Sequence, residues 1–450
     1  MNIGTIAGKI FAGYGMLGVL VALCIFFSAV TVVDQFPVAD EAAAAVAAAV
    51  SAAQPAPGTV LVAGRKSAEG EAFANGITTR LTAAGYTVLS PALGEPGDVR
   101  EALEKQATAG GHIDVLACDH QAFGWGVVVN APEKFAQLGA LRAYEAASYR
   151  WPNFLKRDNL RNITSQIAVI AILAIGMSLV IITGGIDLSV GSLIALSAVT
   201  CTLLIRDFGG GVNASPGAVI LCCTAAVAAC ALLGLFSGLM VTFASVPSFI
   251  ATLAVMLVAK GLAGVLSKSD SINQVPPNFD WLGMQTTLGM PNSVLLMIVL
   301  YAMAHVLMTY TWPGRYIYAV GGNVEAARLS GIPVRRVALL VFVICGALAG
   351  LGGVLMASQL KSGAMTYGVM YELYVIAAVV VGGTSLSGGR GRILGTLIGA
   401  FIIGVIRNGM NLLGLTEFIQ MMVLGGVILA AVLLDTNKHH LMRLFKKRSA

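Results

Sequence analysis

The sequence predicts an all-α polytopic membrane protein of about ten transmembrane helices, with a small α/β, Rossmann-like insert between the first and second. Three observations predict it. Apolar residues make up 57% of the 450 and charged residues only 11%, too few charges for a soluble surface and too much apolar matter for one core. Apolar runs of roughly twenty residues recur along most of the chain, the length needed to cross ~30 Å of hydrocarbon. One block breaks this pattern. Asp34 to Arg150 carry 13 acids and 8 bases, whereas the rest of the chain carries 9 acids and 20 bases. Cytoplasmic loops explain that basic excess, so it is no sign of a nucleic-acid partner.

The first transmembrane helix falls in 1–33. Its apolar run, Ile10 to Val33, is longer than a signal-peptide core and has no clear cleavage site. Residues 34–58 read as an Ala- and Pro-rich linker or short helix. From 59 to 150 the period changes. Strands at Thr59–Gly64, Tyr86–Ser90 and Ile113–Asp119 alternate with helices at Ser67–Ala84 and Asp98–Gly110, the second opened by Asp98 at the cap position. This order implies a small parallel sheet. No GxGxxG follows the first strand, so the pattern does not support a nucleotide site.

The membrane domain, 151–436, offers spans at 163–183, 189–206, 217–243, 247–266, 291–310, 337–358, 371–384, 393–412 and 417–435, the seventh of these short. A basic tail, 437–450, follows. The connection 311–336 holds Arg315, Arg328, Arg335 and Arg336, and the tail holds Lys438, Arg443, Lys446, Lys447 and Arg448. An even number of spans separates the two, so both can be cytoplasmic. Both termini then lie inside and the 34–150 block lies outside, although Lys156, Arg157 and Arg161 fall outside with it.

The seven cysteines show no CxxC, and the five histidines have no ligand spacing with acids or cysteines. Neither a metal site nor a catalytic cluster is indicated, and no bound cofactor is expected. Only Cys118 lies in the polar block, which excludes a disulfide within it.

Gly321 to Arg336, GGNVEAARLSGIPVRR, has good helix formers ahead of Gly331 and Pro333 beyond it. A short helix lying on the membrane face is the expected form. The run Glu325-Ala326-Ala327, three residues, then Gly331 resembles the docking loop of membrane subunits of ATP-driven importers. Four further stretches resemble the sugar-type permeases, the ribose, xylose, arabinose and galactose group: AIGMSLVIITGGIDLSVGS (174–192), PSFIATLA (247–254), GRYIYAVGGNVEAARLSGI (314–332), and VVVGGTSLSGGRG (379–391) with NGMNLLG (408–414). The departures are Tyr374 after Glu372-Leu373, where the family usually has Asp, and Arg407 where it usually has Asn. The insert is also similar to a fragment of a periplasmic sugar-binding protein.

The resemblance implies a permease in the cell inner membrane that translocates a monosaccharide and does no chemistry itself. Its implied partners are ATPase subunits in the cytoplasm, a periplasmic binding protein, a second permease copy (identical or a paralogue) and membrane lipid. No GxxxxGK[ST] occurs, so ATP would be hydrolysed by the partner subunit. The implied coupling loop comprises Arg315, Glu325, Ala326, Ala327, Arg328, Gly331, Arg335 and Arg336. Candidates for the translocation path are Gln166, Asp187, Ser189, Ser192, Lys260, Asn408 and Asn411. Each also has a structural reading: helix capping for Asp187, snorkelling for Lys260, helix-to-helix bonding for the amides. Arg407, inside a span, requires a partner, with Glu372 and Glu417 as candidates. Another small polar solute, or an ion-coupled secondary transporter, are the rival readings.

Overall fold

The computed structural model describes residues 3–447, with side chains for 15–430, 432 and 433. It divides into two compact units: the chain up to Thr31 together with everything from Asn153, and Val32–Pro152.

The second unit is built on parallel strands. In chain order it has β1 (Val32–Gln35), α2 (Ala39–Ala53), β2 (Thr59–Gly64), α3 (Ala68–Ala83), β3 (Thr87–Val88), β4 (Ala92–Leu93), α4 (Pro96–Thr108), β5 (Val115–Cys118), the one-turn helices α5 (His120–Phe123), α6 (Gly126–Val129) and α7 (Ala131–Lys134), β6 (Arg142–Tyr144) and β7 (Tyr149–Pro152). Strand β2 is central. It pairs in parallel with β3 and β4 on one side and with β5 on the other, and β5 pairs in parallel with β6. Alternation along β2 buries both faces: Val60 and Val62 pack with Phe73, Ile77 and Leu81 of α3, while Leu61 and Ala63 pack with Leu103 and Leu116. The Cys118 thiol is fully buried in that second core, and burial raises its pKa far above the usual thiol range. Strands β1 and β7 pair antiparallel, from Val32 opposite Pro152 to Gln35 opposite Tyr149, so the two connections of the unit leave side by side.

Two details correct the sequence reading. Asp98 is not the cap of α4. Helix α4 starts earlier, with Glu95 at the cap position and Pro96 in its first turn, and the Asp98 carboxylate accepts the Glu95 N–H at 2.7 Å. Of the two forms expected for the Ala-rich segment, linker or short helix, the structure shows a helix over 39–53, with Val46 and Val50 burying one side of it against the sheet core.

The first unit is helical. It has α1 (Ile3–Val30), α8 (Arg157–Ile182), α9 (Val190–Asp207), α10 (Pro216–Thr242), α11 (Ser248–Ser267), α12 (Asn292–Tyr310), α13 (Trp312–Gly322), α14 (Val324–Leu329), α15 (Val334–Leu360), α16 (Tyr371–Val381), α17 (Ile393–Leu412) and α18 (Glu417–Lys447), with a small hairpin β8–β9 (Thr286–Thr287, Met290–Pro291). Among the described residues seven helices are long and apolar enough to cross a membrane: α8, α9, α10, α11, α12, α15 and α17. Three further apolar helices are shorter, at Gly15–Val30, Tyr371–Val381 and Glu417–Ala430. The span expected at 371–384 stops at Val381, where Gly383 turns the chain at φ +89°. Helix α18 continues to Lys447, but the side chains of the basic tail lie outside the described residues.

Helix α8 is the hub. Its apolar stretch is 89% buried, and it packs against α12, α15, α16 and α17. Helix α10 is equally apolar but only 22% buried, so most of its surface suits lipid or another protein. What it does bury lies against α15 and α9. A Cβ at Gly234 would come within 2.4 Å of the Phe342 carbonyl oxygen, and one at Gly346 within 2.5 Å of that of Cys230. In a bilayer, where hydrophobicity does not drive helices together, such close backbone packing is a main source of association.

Candidate functional site

The connection between α12 and α15 forms two helices rather than one. Trp312-Pro313 opens α13, with proline in the first turn where its missing N–H costs nothing. Asn323 is extended and caps α14, its side-chain oxygen accepting the Ala326 N–H at 3.0 Å. Gly331 closes α14 at φ +79°, its N–H bonded to the Arg328 carbonyl at 3.0 Å.

On α14 only Ala327 is buried. Glu325, Ala326 and Arg328 are exposed, and Leu329 is 88% exposed. Glu325 and Arg328 face each other at 3.4 Å, and Arg315, Arg335 and Arg336 are exposed nearby in sequence. Arg335 lies 5.3 Å from the Phe243 ring centroid, which ties the start of α15 to the α10–α11 turn. A mixed-charge helix with an uncovered leucine suits a soluble protein partner.

At the end of α13, just before α14 in sequence, three backbones meet without side chains between them. The Gly389 N–H donates to the Ile182 carbonyl at 2.8 Å. A Cβ at Gly321 would sit 1.7 Å from that same oxygen and 2.6 Å from the Gly389 nitrogen. Gly388 and Gly389 have φ of +83° and +68°, which only glycine adopts readily. The Tyr318 hydroxyl donates to the Gly391 carbonyl at 2.8 Å. So α13, the end of hub helix α8 and the 382–392 loop are in close mutual contact. The sequence drew attention to the charges of this loop but missed Tyr318 and Asn323. Asn ahead of Val-Glu-Ala-Ala is a recognisable capping signal.

Of the seven path candidates, Asp187 and Ser189 are bonded to each other. Asp187 is fully buried, and its Oδ1 accepts the Ser189 N–H at 2.9 Å and the Ser189 hydroxyl at 2.6 Å, while Oδ2 has no hydrogen-bond partner among the described residues. It therefore does not cap α9. Ser189 occupies the cap position, and the acid two residues upstream closes a local turn instead. The same 184–189 turn is held by α11: Ser248 Oγ accepts the Ile186 N–H and Thr252 Oγ1 accepts the Leu188 N–H, both at 3.1 Å. Ser192 is half-buried, and Gln166 and Lys260 are exposed on their helices. Asn408 pairs with Asn159 of α8 through bonds of 2.9 and 3.2 Å, and Asn411 accepts from Gln420 at 2.7 Å. Arg407 lies over the rings of Tyr374 (5.0 Å) and Tyr371 (5.8 Å), a cation–π seat rather than the expected ion pair with Glu372 or Glu417.

A family model described as branched-chain amino acid transport system / permease component matches residues 159–432, leaving out the whole α/β unit. The chain is 45% identical over 291 residues to the ribose import permease protein RbsC of Escherichia coli (strain K12), covering 64% of this chain and 88% of that one. It is 44% identical over 289 residues to RbsC of Bacillus subtilis (strain 168), covering 64% and 87%. To the L-arabinose ABC transporter permease protein AraH of Azospirillum brasilense it is 35% identical over 295 residues, covering 66% and 85%. No solved structure is significantly similar. With the exposed Glu-Ala-Ala helix, its glycine-packed base and these relatives together, the chain belongs to this permease family, as a sugar-type permease of ABC importers.

Proposed function

We propose that the chain forms the membrane path for a monosaccharide delivered from outside by a soluble binding protein, and that a separate ATPase on the cytoplasmic side drives it through α13 and α14. The observation that carries this reading is the exposed α14 following directly on α13, whose end makes the Gly321–Ile182–Gly389 contact. A force on α14 reaches the hub helix and the 382–392 loop through touching backbones, with no flexible side chain to absorb it. That arrangement suits a switch between two packings of the same helices. The 45% identity to ribose permeases favours a pentose as cargo.

In this reading the seven long helices and the three shorter ones together make ten crossings, with both termini in the cytoplasm. The turns at 184–189, 243–247 and 382–392 then fall on the same side as α14, in keeping with the contacts that join them. The α/β unit lies outside.

The test is reconstitution. Vesicles carrying the chain, the ATPase and the binding protein should accumulate D-ribose only when all three and ATP are present. Uphill uptake by the chain alone would overturn the reading in favour of an ion-coupled transporter. For the topology, Glu101→Cys, on the exposed side of α4, should react with a membrane-impermeant maleimide added outside intact cells. Buried Cys118 stays silent in the same experiment and serves as an internal control. Labelling only after the cells are opened would place the unit inside.

A further inference from the structure

Three cysteines gather at one level of the membrane unit. Cys201 lies on α9, Cys222 and Cys223 lie on α10, and all three are free thiols in one apolar cluster with Ala198, Ile205 and Ala226. The register of the two helices brings them together. Further along the same interface the Cys230 thiol donates to the Leu193 carbonyl at 3.5 Å. Cys223 precedes Cys230 by about two turns and Cys201 follows Leu193 by about two turns, so in antiparallel helices both stand roughly 10–12 Å from that contact, on the same side of it. The Cys201 and Cys223 side chains are accordingly hydrogen-bonded neighbours. Cys222, the next residue on α10, points elsewhere: a Cβ at Gly209 would lie 3.5 Å from its Sγ.

The pair is closed on one side and open on the other. Cys201 is fully buried, and its thiol also donates to the Ala198 carbonyl at 3.3 Å. Cys223 is half-buried and lines a cavity of about 670 Å³ between α10, α15 and the 277–285 segment. Val219, Val227, Phe279, Leu282 and Val354 make its walls apolar. Ile220, a further wall, is 66% exposed, so the cavity is reached from the surface of α10 that the fold leaves uncovered. In the topology proposed above, the end of α9 and the start of α10 lie on the outer side, away from the thiol reductants of the cytoplasm.

We propose that Cys201 and Cys223 are a redox-active dithiol, oxidised to a disulfide by a quinone dissolved in the lipid. Two S–H bonds break and one Sγ–Sγ bond forms. The two protons and two electrons pass to the quinone, which leaves as the hydroquinone. Cys223 reacts first, because it is the member of the pair that faces the cavity, and Cys201 resolves the adduct. A bridge needs Cα atoms within ~7 Å, and the small residues Ala198 and Ala226 beside the pair let the two backbones approach. The bridge ties α9 to α10, and α10 packs along α15, the helix that follows α14. On the transport reading above, oxidation therefore restrains the helices that the docking loop has to move.

The test uses the full-length chain in lipid nanodiscs, without ATPase or binding protein, treated with duroquinone, whose fully substituted ring oxidises thiols without adding to them. The chain is then denatured with N-ethylmaleimide, digested and mapped by mass spectrometry. Cys201 and Cys223 should be lost together from the alkylated thiols and recovered as one linked pair of peptides that a reductant separates. Cys222→Ala should keep the link, whereas Cys201→Ala and Cys223→Ala should each abolish it. No linked pair in the wild-type chain, a link through Cys222, or a link joining two chains would overturn the proposal. With ATPase and binding protein added, duroquinone should cause a loss of D-ribose uptake in the wild-type chain but not in Cys201→Ala, and reductant should restore it. A linked chain with undiminished uptake would overturn the restraint. The mapping needs no transport, so a failed transport reading and a failed dithiol are told apart.

Discussion

Glu325→Arg and Gly331→Pro should each lower ATP-driven uptake by more than tenfold while the chain remains folded. The Glu325–Arg328 pair is exposed on both sides, at 71% and 66%, and a surface pair of this kind is worth only about 0–1 kcal/mol. A positive charge in the first turn of α14 opposes the helix dipole by roughly another 0.3–1 kcal/mol. Neither cost unfolds a protein of this size, so a large loss of transport must come from a surface that no longer fits its partner. Gly331→Pro acts differently. Proline fixes φ near −65°, whereas Gly331 stands at +79°, and the substitution also removes the N–H bonded to Arg328. The end of α14 and the entry to α15 must then rebuild. Uptake and ATP hydrolysis in the reconstituted complex are the readout. In both variants hydrolysis should continue but no longer respond to the loaded binding protein, and unchanged uptake in both would remove the docking assignment.

Gly321→Val should have the next largest effect, and it affects the membrane unit itself. Even the Cβ of alanine would lie 1.7 Å from the Ile182 carbonyl oxygen, inside any tolerable contact, and the neighbours are backbone atoms that cannot rotate away. Overpacking of this kind costs about 1–3 kcal/mol and shifts the backbone. Because the displaced groups are the end of α8 and the 382–392 loop, uptake should be nearly abolished and the melting temperature of the purified chain lowered. Gly261→Ala is the matched control: nothing lies within 4 Å of a Cβ there, and it should leave both measurements close to wild type. A Gly321→Val chain with full uptake would show that this contact does not transmit the motion.

The membrane part was largely legible because a span needs about twenty apolar residues, a signal that depends on no partner. The Glu-Ala-Ala loop was legible for a similar reason, since its cap, helix formers and terminal glycine are neighbours in sequence. Long-range pairings were not. Asn408 and Asn159 bond to each other across most of the chain, and nothing local in either marks the other. Arg407 requires a partner inside its span, and the structure seats it on two tyrosines, whose aromatic faces carry no formal charge for a sequence count to find. Strands β4 and β6 are two and three residues long, too short for a period to register.

The antiparallel pairing of β1 with β7 brings the two ends of the α/β unit together. Within the membrane unit the Asn153 N–H donates to the Thr31 carbonyl at 2.9 Å, so the residues on either side of the 32–152 excursion touch. The first helix and α8 are thus joined directly by backbone, and the 32–152 unit enters and leaves at one point. The family model, which begins at residue 159, lies wholly on one side of that junction, so the hydrogen-bonded closure at Thr31 and Asn153 separates the 32–152 unit from the part of the chain that carries the family's pattern.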